Sequence, residues 1–347
     1  MVIRLQKASG RRIHILSQYI WPDGAPTAIY ADQLAQALCR KGLPTVLVGG
    51  EGTYREFHRG RPEVPISRVK HYRGARGRLM CSYFEYHSIT RSFKRYIERH
   101  VRQHDLVVIT SAPPNTVTLA PLLRRRQALS IYWLQDYYPE ILRGLRDYPK
   151  AIRNTLSGYW DRCLGRWDHV IKIAANLGYS GKNSKVIRNW PTMTFGHLGL
   201  PEPKTALYTG NLGYCHDVAR FVRKCEELAD SGYVISVRGD GPGVLQLPKW
   251  VNVGPPFKSI EALMDGYMFA EIHLVAAHPD IQHALFPSKI WNSLAPKRRI
   301  AFSGFEGAMA DELVESLKAP FGQHLDQWCD FIEGLFHEDR PRYANAL

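Results

Sequence analysis

The chain has 347 residues, 45% hydrophobic and 22% charged, a length that suits two domains and a composition typical of a soluble globular protein. Its 46 Lys and Arg against 32 Asp and Glu leave a formal net charge of +14, which predicts anionic partners. No apolar run approaches the roughly 20 residues needed to span a bilayer, no apolar block of a secretory signal follows the basic start Met1 to Arg12, and six cysteines without a CxxC pair fit free thiols in a reducing cytoplasm better than disulfides or zinc.

Arg11 to Gln18 reads as a first buried strand, followed by the loop Tyr19 to Thr27 with Pro22, Gly24 and Pro26. A helix from about Ala28 to Lys41 puts Ala31, Leu34, Ala35 and Leu38 on one face and stops at Gly42. Pro44 to Gly50 is the next strand. Strand, helix, strand in this order is a βαβ unit, so the sheet is parallel and the fold class is α/β. Ligands of such sheets bind beyond the carboxyl ends of the strands, which puts Trp21 to Thr27 at a site. The GxGxxG dinucleotide fingerprint is absent here, which weighs against a nicotinamide enzyme.

From Tyr72 to Arg102 the cations Arg73, Arg76, Arg78, Arg91, Lys94, Arg95, Arg99 and Arg102 interleave with Leu79, Met80, Tyr83, Phe84, Tyr86, Phe93 and Tyr96. This pattern fits a segment lying on an anionic membrane, or an amphipathic helix whose apolar side packs on a core. No helix-turn-helix, zinc-finger or RRM signature directs the charge to nucleic acid. Strands are expected at Asp105 to Thr110 and Ser130 to Leu134, each ending in a loop at the sheet's carboxyl end. The second loop presents two carboxylates, Asp136 and Glu140; an Asp after a strand is either a helix cap or a chemical group. A long helical stretch, Ile141 to Trp167, precedes strands at Asp168 to Ala174 and Lys185 to Asn189, and Asn189-Trp190-Pro191 opens a loose linker that runs to Lys204.

The pattern then restarts with a strand at Thr205 to Thr209, a tight turn at Gly210-Asn211-Leu212-Gly213 and an amphipathic helix from Val218 to Ser231. A strand from Val234 to Arg238 ends in Gly239-Asp240-Gly241-Pro242-Gly243, and Val251 to Val253 precedes Gly254-Pro255-Pro256. Glycine turns of this kind let a backbone approach a phosphate or a base. A helix at Ser259 to Tyr267 and a strand at Glu271 to Ala276 lead to a helix starting at Pro287-Ser288-Lys289 and a strand at Arg299 to Phe302. A lysine is the wrong charge for the positive end of a helix unless an anion joins it. With a phosphate present, the free N–H groups, Ser288 and Lys289 would face one ligand.

Three motifs in this order, Tyr208-Thr-Gly-Asn-Leu-Gly213, Gly239-Asp-Gly-Pro242 and Phe286-Pro-Ser-Lys289, resemble the GT-B glycosyltransferases of family 4. Ser17 to Ala28, Gln135-Asp-Tyr-Tyr-Pro-Glu140 and Val186-Ile-Arg-Asn-Trp-Pro191 are similar to its bacterial subgroup that builds lipid-linked surface polysaccharides. The resemblance covers residues 12 to 320. It implies two Rossmann-like domains facing a cleft: residues 1–192 for the acceptor, a linker 193–204, residues 205–322 for the nucleotide sugar, and a helical tail 323–347 for which packing back on the first domain stays open. It also implies a retaining transfer of hexosyl type that needs no metal and no cofactor, with an NDP-sugar as donor, a UDP-sugar foremost. Carried over by position, Gly210, Asn211 and Gly213 would face the diphosphate and Arg238, Gly239 and Gly241 would flank the nucleotide. Gly254 and Pro255 would border the base, and Ser288 and Lys289 would hold the phosphates in place of a metal.

The chain departs from the family pattern in two places. Many members carry a Glu at the positions of Ala284 and Asn292; Asn292 can still bond ribose hydroxyls, and His278, Asp280 and His283 stand near enough in sequence to contact the sugar. Ala295 to Arg299 replaces a small-residue turn. The expectation is a cytoplasmic enzyme peripheral on the inner face of the plasma membrane, with an undecaprenyl-diphosphate-linked glycan as acceptor and an anionic membrane surface as partner. Asp136 would orient or deprotonate the acceptor hydroxyl, with Glu140 as the second candidate. An epimerase on the same fold and a non-catalytic anion-binding or nucleic-acid-binding protein are the alternatives, because fold does not fix chemistry.

Overall fold

The computed structural model describes residues 10–51, 57–74, 79–145, 150–196, 199–213, 215–304, 307, 311–312, 315 and 323–338. Arg76, Arg78 and the side chains of Leu79 and Met80, singled out above, lie outside this description, as does 339–347 of the tail. Among the described residues the strands form two sheets, each parallel throughout. The first comprises β1 (Ile13–Ser17), β2 (Thr45–Gly50), β3 (Ile66–Val69), β4 (Leu106–Thr110), β5 (Leu129–Leu134), β6 (His169–Lys172) and β7 (Ser184–Val186), in the spatial order β3-β2-β1-β4-β5-β6-β7. The second comprises β8 (Glu202–Asn211), β9 (Val234–Asp240), β10 (Asn252–Gly254), β11 (Ala270–Ala276) and β12 (Arg299–Ser303), in the order β10-β9-β8-β11-β12. In both, the chain order reverses beside the first strand, which opens a crevice at the carboxyl ends of β1 and β4 and of β8 and β11.

Helices cover these sheets: α1 (Pro26–Arg40), α2 (Leu79–His100), α3 (Ala120–Arg125), α4 (Tyr138–Leu145) and α5 (Lys150–Leu164) on the first, α6 (Val218–Asp230), α7 (Ile260–Phe269) and α8 (Lys289–Leu294) on the second. Their ends are set locally. Pro26 opens α1, where its missing N–H costs nothing, Asp217 accepts from Arg220 N at 3.0 Å to cap α6, and Ser259 accepts from Ala262 N at 3.2 Å to cap α7. Strands β1 and β4 are buried at every position, as parallel strands between two layers require. Polar residues in this core are mutually satisfied: His14 Nδ1 and Tyr96 Oη are 3.0 Å apart and His14 Nε2 lies 3.2 Å from Asp105 Oδ2, which ties β1 to α2 and β4.

The last described helix, α9 (Gln323–His337), lies on the first sheet's side of the molecule. Trp328 is fully buried with its ring 4.4 Å from that of Trp133 on β5, and Lys41 at the end of α1 reaches Asp330 at 2.9 Å and Glu333 at 2.8 Å. The two surface ion pairs add little; burial of Trp328, Ile332, Leu335 and Phe336 supplies about 1.5–3 kcal/mol per side chain.

Several expected boundaries move. Strand β3 had no counterpart in the sequence reading, because an edge strand of the sequence Ile66-Ser-Arg-Val69 is buried on neither face. The helical stretch expected from Ile141 begins at Tyr138 and falls into α4 and α5, with 146–149 outside the described residues. Strand β8 begins at Glu202, inside the segment assigned to the linker. The tight turn expected at Gly210 is a continuation of β8, since Gly210 pairs with Gly239 and Asn211 with Asp240.

Candidate functional site

A cavity of about 470 Å³ lies where the carboxyl ends of the two sheets face each other. From the first sheet's side come Gly24, Pro26, Ile29 and Tyr30 of the β1–α1 region, Phe57, and Asp136 of the loop after β5; Thr192 comes from the linker. The second sheet supplies Thr209, Gly210, Asn211 and Arg238, the loop after β8 supplies His216, and the segments beyond supply Pro256, Phe257, Tyr267, Ser288, Lys289 and Asn292. The cavity's rims are stitched by backbone hydrogen bonds between the two halves. On one side His58 N donates to Lys258 O (2.9 Å) and Ile260 N to His58 O (3.2 Å); on the other Tyr137 N donates to Ala284 O (2.6 Å) and Gly178 N to His283 O (2.9 Å).

Lys289 is the centre of its polar wall. Nζ donates to Tyr208 Oη at 3.1 Å and stands 4.7 Å from the centroid of that ring. Tyr208 Oη donates in turn to Asn211 O at 2.8 Å and lies 3.3 Å from His216 Nε2, while Gly213 N lies 3.1 Å from His216 Nδ1. One assignment gives every donor an acceptor: Gly213 N–H donates to Nδ1, and Nε2–H donates to Tyr208, so His216 is neutral. Burial, reinforced by the charge of Lys289, pulls the His216 pKa down to about 4, in agreement with that tautomer. Burial also lowers the Lys289 ammonium to about 8. Its one hydrogen-bond partner among the described residues is a neutral phenol, and no carboxylate there pairs with it. An ammonium held this way has two further N–H donors and an uncompensated charge, which is the condition an anionic ligand relieves.

Two glycines make room for the cations. Gly210 has φ +99°, and a Cβ on it would come within 3.0 Å of Lys289 Cε, so a side chain there is strained and crowds the lysine stem. Gly254 lies under Arg238, whose guanidinium occupies the space a Cβ would take. Arg238 lines the cavity and makes no ion pair among the described residues. Two other glycines let neighbouring segments of the chain pack closely. A Cβ on Gly239 would overlap Gly210 O, and one on Gly241, at φ +101°, would overlap Asn211 Oδ1, so they let neighbouring chain segments approach each other. Gly213, Gly239, Gly241, Gly254 and Pro255 stand behind the lining or beside it.

Asp136 is the one carboxylate among the described residues of the lining. Its N–H donates to Ser111 Oγ at 3.1 Å, and its backbone forms an antiparallel bridge with Leu285 of the second half. Burial raises its carboxyl to about 6, a value suited to accepting a proton near neutral pH. Glu140 lies in the first turn of α4, outside the lining.

The start of α8 differs from expectation. Ser288 has helical angles (φ −59°, ψ −23°) and makes no cap bond, and the helix is six residues long, so a macrodipole contributes little and the charge comes from Lys289. Asn292 is committed in part: its Oδ1 accepts from Thr192 N at 2.8 Å and from Thr192 Oγ1 at 3.1 Å, which leaves its NH2 group for the cavity. Ala284 is fully buried, and its carbonyl and amide serve the rim and the turn after Ile281. His278 sits outside the lining, where its Nδ1 accepts from Asp280 N at 3.2 Å and its N–H donates to Cys215 O. The sequence reading named Tyr208 only as the head of its motif, without a role, and did not single out His216, three residues past that motif, or Tyr30, whose buried hydroxyl has no partner among the described residues. Asp136, Gly210, Asn211, Arg238, Ser288, Lys289 and Asn292 are thus together in one cavity.

No protein-family model matches the chain. Over 216 residues it is 24% identical to the Escherichia coli K12 protein named as a colanic acid biosynthesis glycosyl transferase, WcaI, a match that takes in 52% of this chain and 53% of the other, so the chain spans about half the length of that curated relative. Among solved structures it resembles a sucrose-phosphate synthase of Thermosynechococcus elongatus (TM-score 0.61, 13% identity, 94% of this chain and 95% of that one). It also resembles a UDP-forming trehalose-phosphate synthase of Burkholderia xenovorans in complex with glucose-6-phosphate (0.61, 10%, 94% and 100%). A third is an E. coli trehalose-6-phosphate structure bound with UDP-2-fluoro glucose (0.59, 10%, 94% and 99%). With its two parallel-strand sheets opposed across a cleft, the chain has the α/β fold of GT-B glycosyltransferase structures.

Proposed function

We propose that the protein is a glycosyltransferase of the family 4 kind. It moves a sugar, with retention of configuration, from an NDP-sugar, UDP foremost, to a lipid-linked glycan in surface polysaccharide synthesis, on the inner face of the plasma membrane. The observation that carries this reading is the Lys289 ammonium, half-buried in the cleft against a neutral phenol with Arg238 in the same lining. Two cations without acidic partners meet the requirement of a leaving diphosphate, whose charge grows as the glycosidic bond breaks. Asp136, from the opposite half, takes the acceptor hydroxyl's proton or orients it. An epimerase would need acid and base groups on both faces of one sugar, and the described lining offers a single carboxylate.

The bound UDP-2-fluoro glucose of the E. coli structure supports a nucleotide-sugar donor, and the match to the colanic acid protein supports the polysaccharide side of the reading. Among the described residues no helix is long and apolar enough to cross a membrane. The test incubates the purified protein with radiolabelled UDP-, GDP- and ADP-sugars and a bacterial lipid extract. Label in the organic phase, dependent on Lys289 and Asp136, is expected. Label released only as free sugar would refute transfer, and the anomeric configuration of the product, read by NMR, tests retention.

A further inference from the structure

Segment 57–61, between β2 and β3, reaches from the first half of the molecule to the second. His58 forms a parallel bridge with Ser259, and its amide and carbonyl make the two hydrogen bonds to Lys258 and Ile260 that close one rim of the cleft. Both sides of this contact belong to the cavity wall: Phe57 lines it from the first half, and Pro256, Phe257, Ile260 and Leu263 line it from the second. Two backbone hydrogen bonds at an exposed residue hold weakly against the entropy of ordering a loop, so the contact depends on the segment being in place beforehand.

A buried ion pair puts it there. Arg59 follows His58 directly, and its guanidinium meets the carboxylate of Asp32 on α1, with the two side chains 10% and 3% exposed. The guanidinium also donates to Asp23 O at 3.0 Å, and Arg59 O accepts from the Trp21 indole N–H at 3.2 Å. The other oxygen of Asp32 accepts from Trp21 N at 3.3 Å, so the carboxylate gathers the β1–α1 loop and the segment onto one helix. Burial lifts the Asp32 carboxyl to about 6, and Arg59 and Arg68 keep it from rising further. A pair taken out of water adds little net stability, yet either charge left alone there is costly, so the chain is confined to placements in which both are met. Neither Asp32 nor Arg59 lines the cavity. We infer that Asp32 and Arg59 are positioning residues for donor binding: their pair holds Phe57 and His58 where they meet the start of α7, so that the nucleotide sugar is enclosed by a wall assembled from both halves. This deepens the proposed function and rests on it for the identity of the ligand.

The test follows the full chain by hydrogen exchange resolved at single amides and by calorimetry with UDP. Arg59→Met should speed exchange of the His58 and Ile260 amides by about tenfold or more, while Tyr137 and Gly178, on the opposite rim, exchange as in the wild type. UDP should bind this variant about tenfold more weakly. Arg59→Lys, which keeps a cation beside Asp32, should recover UDP binding to within about threefold of the wild type. His58→Pro keeps the ion pair and deletes one N–H of the contact at an exposed position, so it should weaken UDP binding by the same route even if Arg59→Met fails to fold. A pair that serves stability alone would lower the melting point of Arg59→Met and leave UDP affinity unchanged, and that result overturns the inference. So does faster exchange spread evenly over both rims, or His58→Pro binding UDP as the wild type does. The two readings fail differently. Equal UDP binding by the wild type and the variants leaves the donor site standing and removes the positioning role; no UDP binding by the wild type removes the proposed function and, with it, the role assigned to the pair.

Discussion

Replacing Lys289 with Met keeps the length of the stem and removes the charge, and it should move stability and binding in opposite directions. Burial holds the ammonium pKa at about 8 against an ordinary 10.5; at 1.36 kcal/mol per pKa unit the gap corresponds to about 3 kcal/mol by which the charged form destabilises the native state at neutral pH. Tyr208 keeps Asn211 O and His216 as partners, so the substitution leaves no orphaned hydroxyl. The ligand-free variant should therefore melt higher than the wild type by several degrees, given about 2–4 °C per kcal/mol for domains of this size. The sign follows from a depressed lysine pKa: the penalty is complete below about pH 8 and vanishes as pH rises toward 10.5. The difference in melting point should accordingly close between pH 8 and pH 10.5. UDP should bind the variant about 10- to 150-fold more weakly, the equivalent of one charge-assisted contact of 1.5–3 kcal/mol. Scanning fluorimetry at pH 7 and pH 10 with calorimetry for UDP gives both readings. A variant that melts no higher than the wild type at pH 7, or that binds UDP equally well, refutes the account of Lys289.

Asp136→Asn should lower the transfer rate by about 10²–10⁴ while leaving UDP affinity unchanged, and the wild-type rate should rise with pH through about 6 as the carboxyl ionises; activity in the variant near that of the wild type would remove Asp136 from the chemistry. Gly239→Ala places a methyl group against the Gly210 carbonyl and should destabilise the second half by about 1–3 kcal/mol in urea titrations, with UDP binding reduced in step because Gly210 also borders Lys289. Trp328→Ala should cost about 3–5 kcal/mol and lower the unfolding midpoint of the first half, since α9 packs on β5 through this ring; an unchanged midpoint would show that the helix is dispensable.

The βαβ alternation was plain because parallel strands buried on both faces leave apolar runs such as Leu106–Thr110, and the amphipathic spacing of α1 and α6 marks the crossings between them. That Lys289 and Arg238 would come together was legible too, because both stand in short motifs where a charge needs a reason, and both line the one cavity. Pairings between distant segments were not. Thr192 and Asn292 are 100 residues apart, and nothing local to either tells that the amide oxygen is occupied. A glycine in a pattern likewise signals a close approach without naming what approaches: at Gly239 and Gly241 the close neighbours are Gly210 O, Asn211 Oδ1 and Leu212 O. An open groove beside α2 was half visible: α2 announced its cations and aromatics, but Asn115 to Arg125 and Tyr159 to Trp160 line it only through the packing of helices onto the sheet.

The bridge between Asp136 and Leu285 ties the surroundings of this carboxylate to the contact between the two halves. The acid belongs to one half of the molecule, yet part of the backbone that encloses it belongs to the other. Parting the halves would break the Tyr137–Ala284 hydrogen bond, admit water to the carboxylate and return it to the acidity of an ordinary aspartate. The carboxylate would then be at its most basic only while the two halves are in contact. Under the proposed function, such timing would spare a sugar donor from hydrolysis, because the carboxylate would be a weaker base whenever solvent can enter.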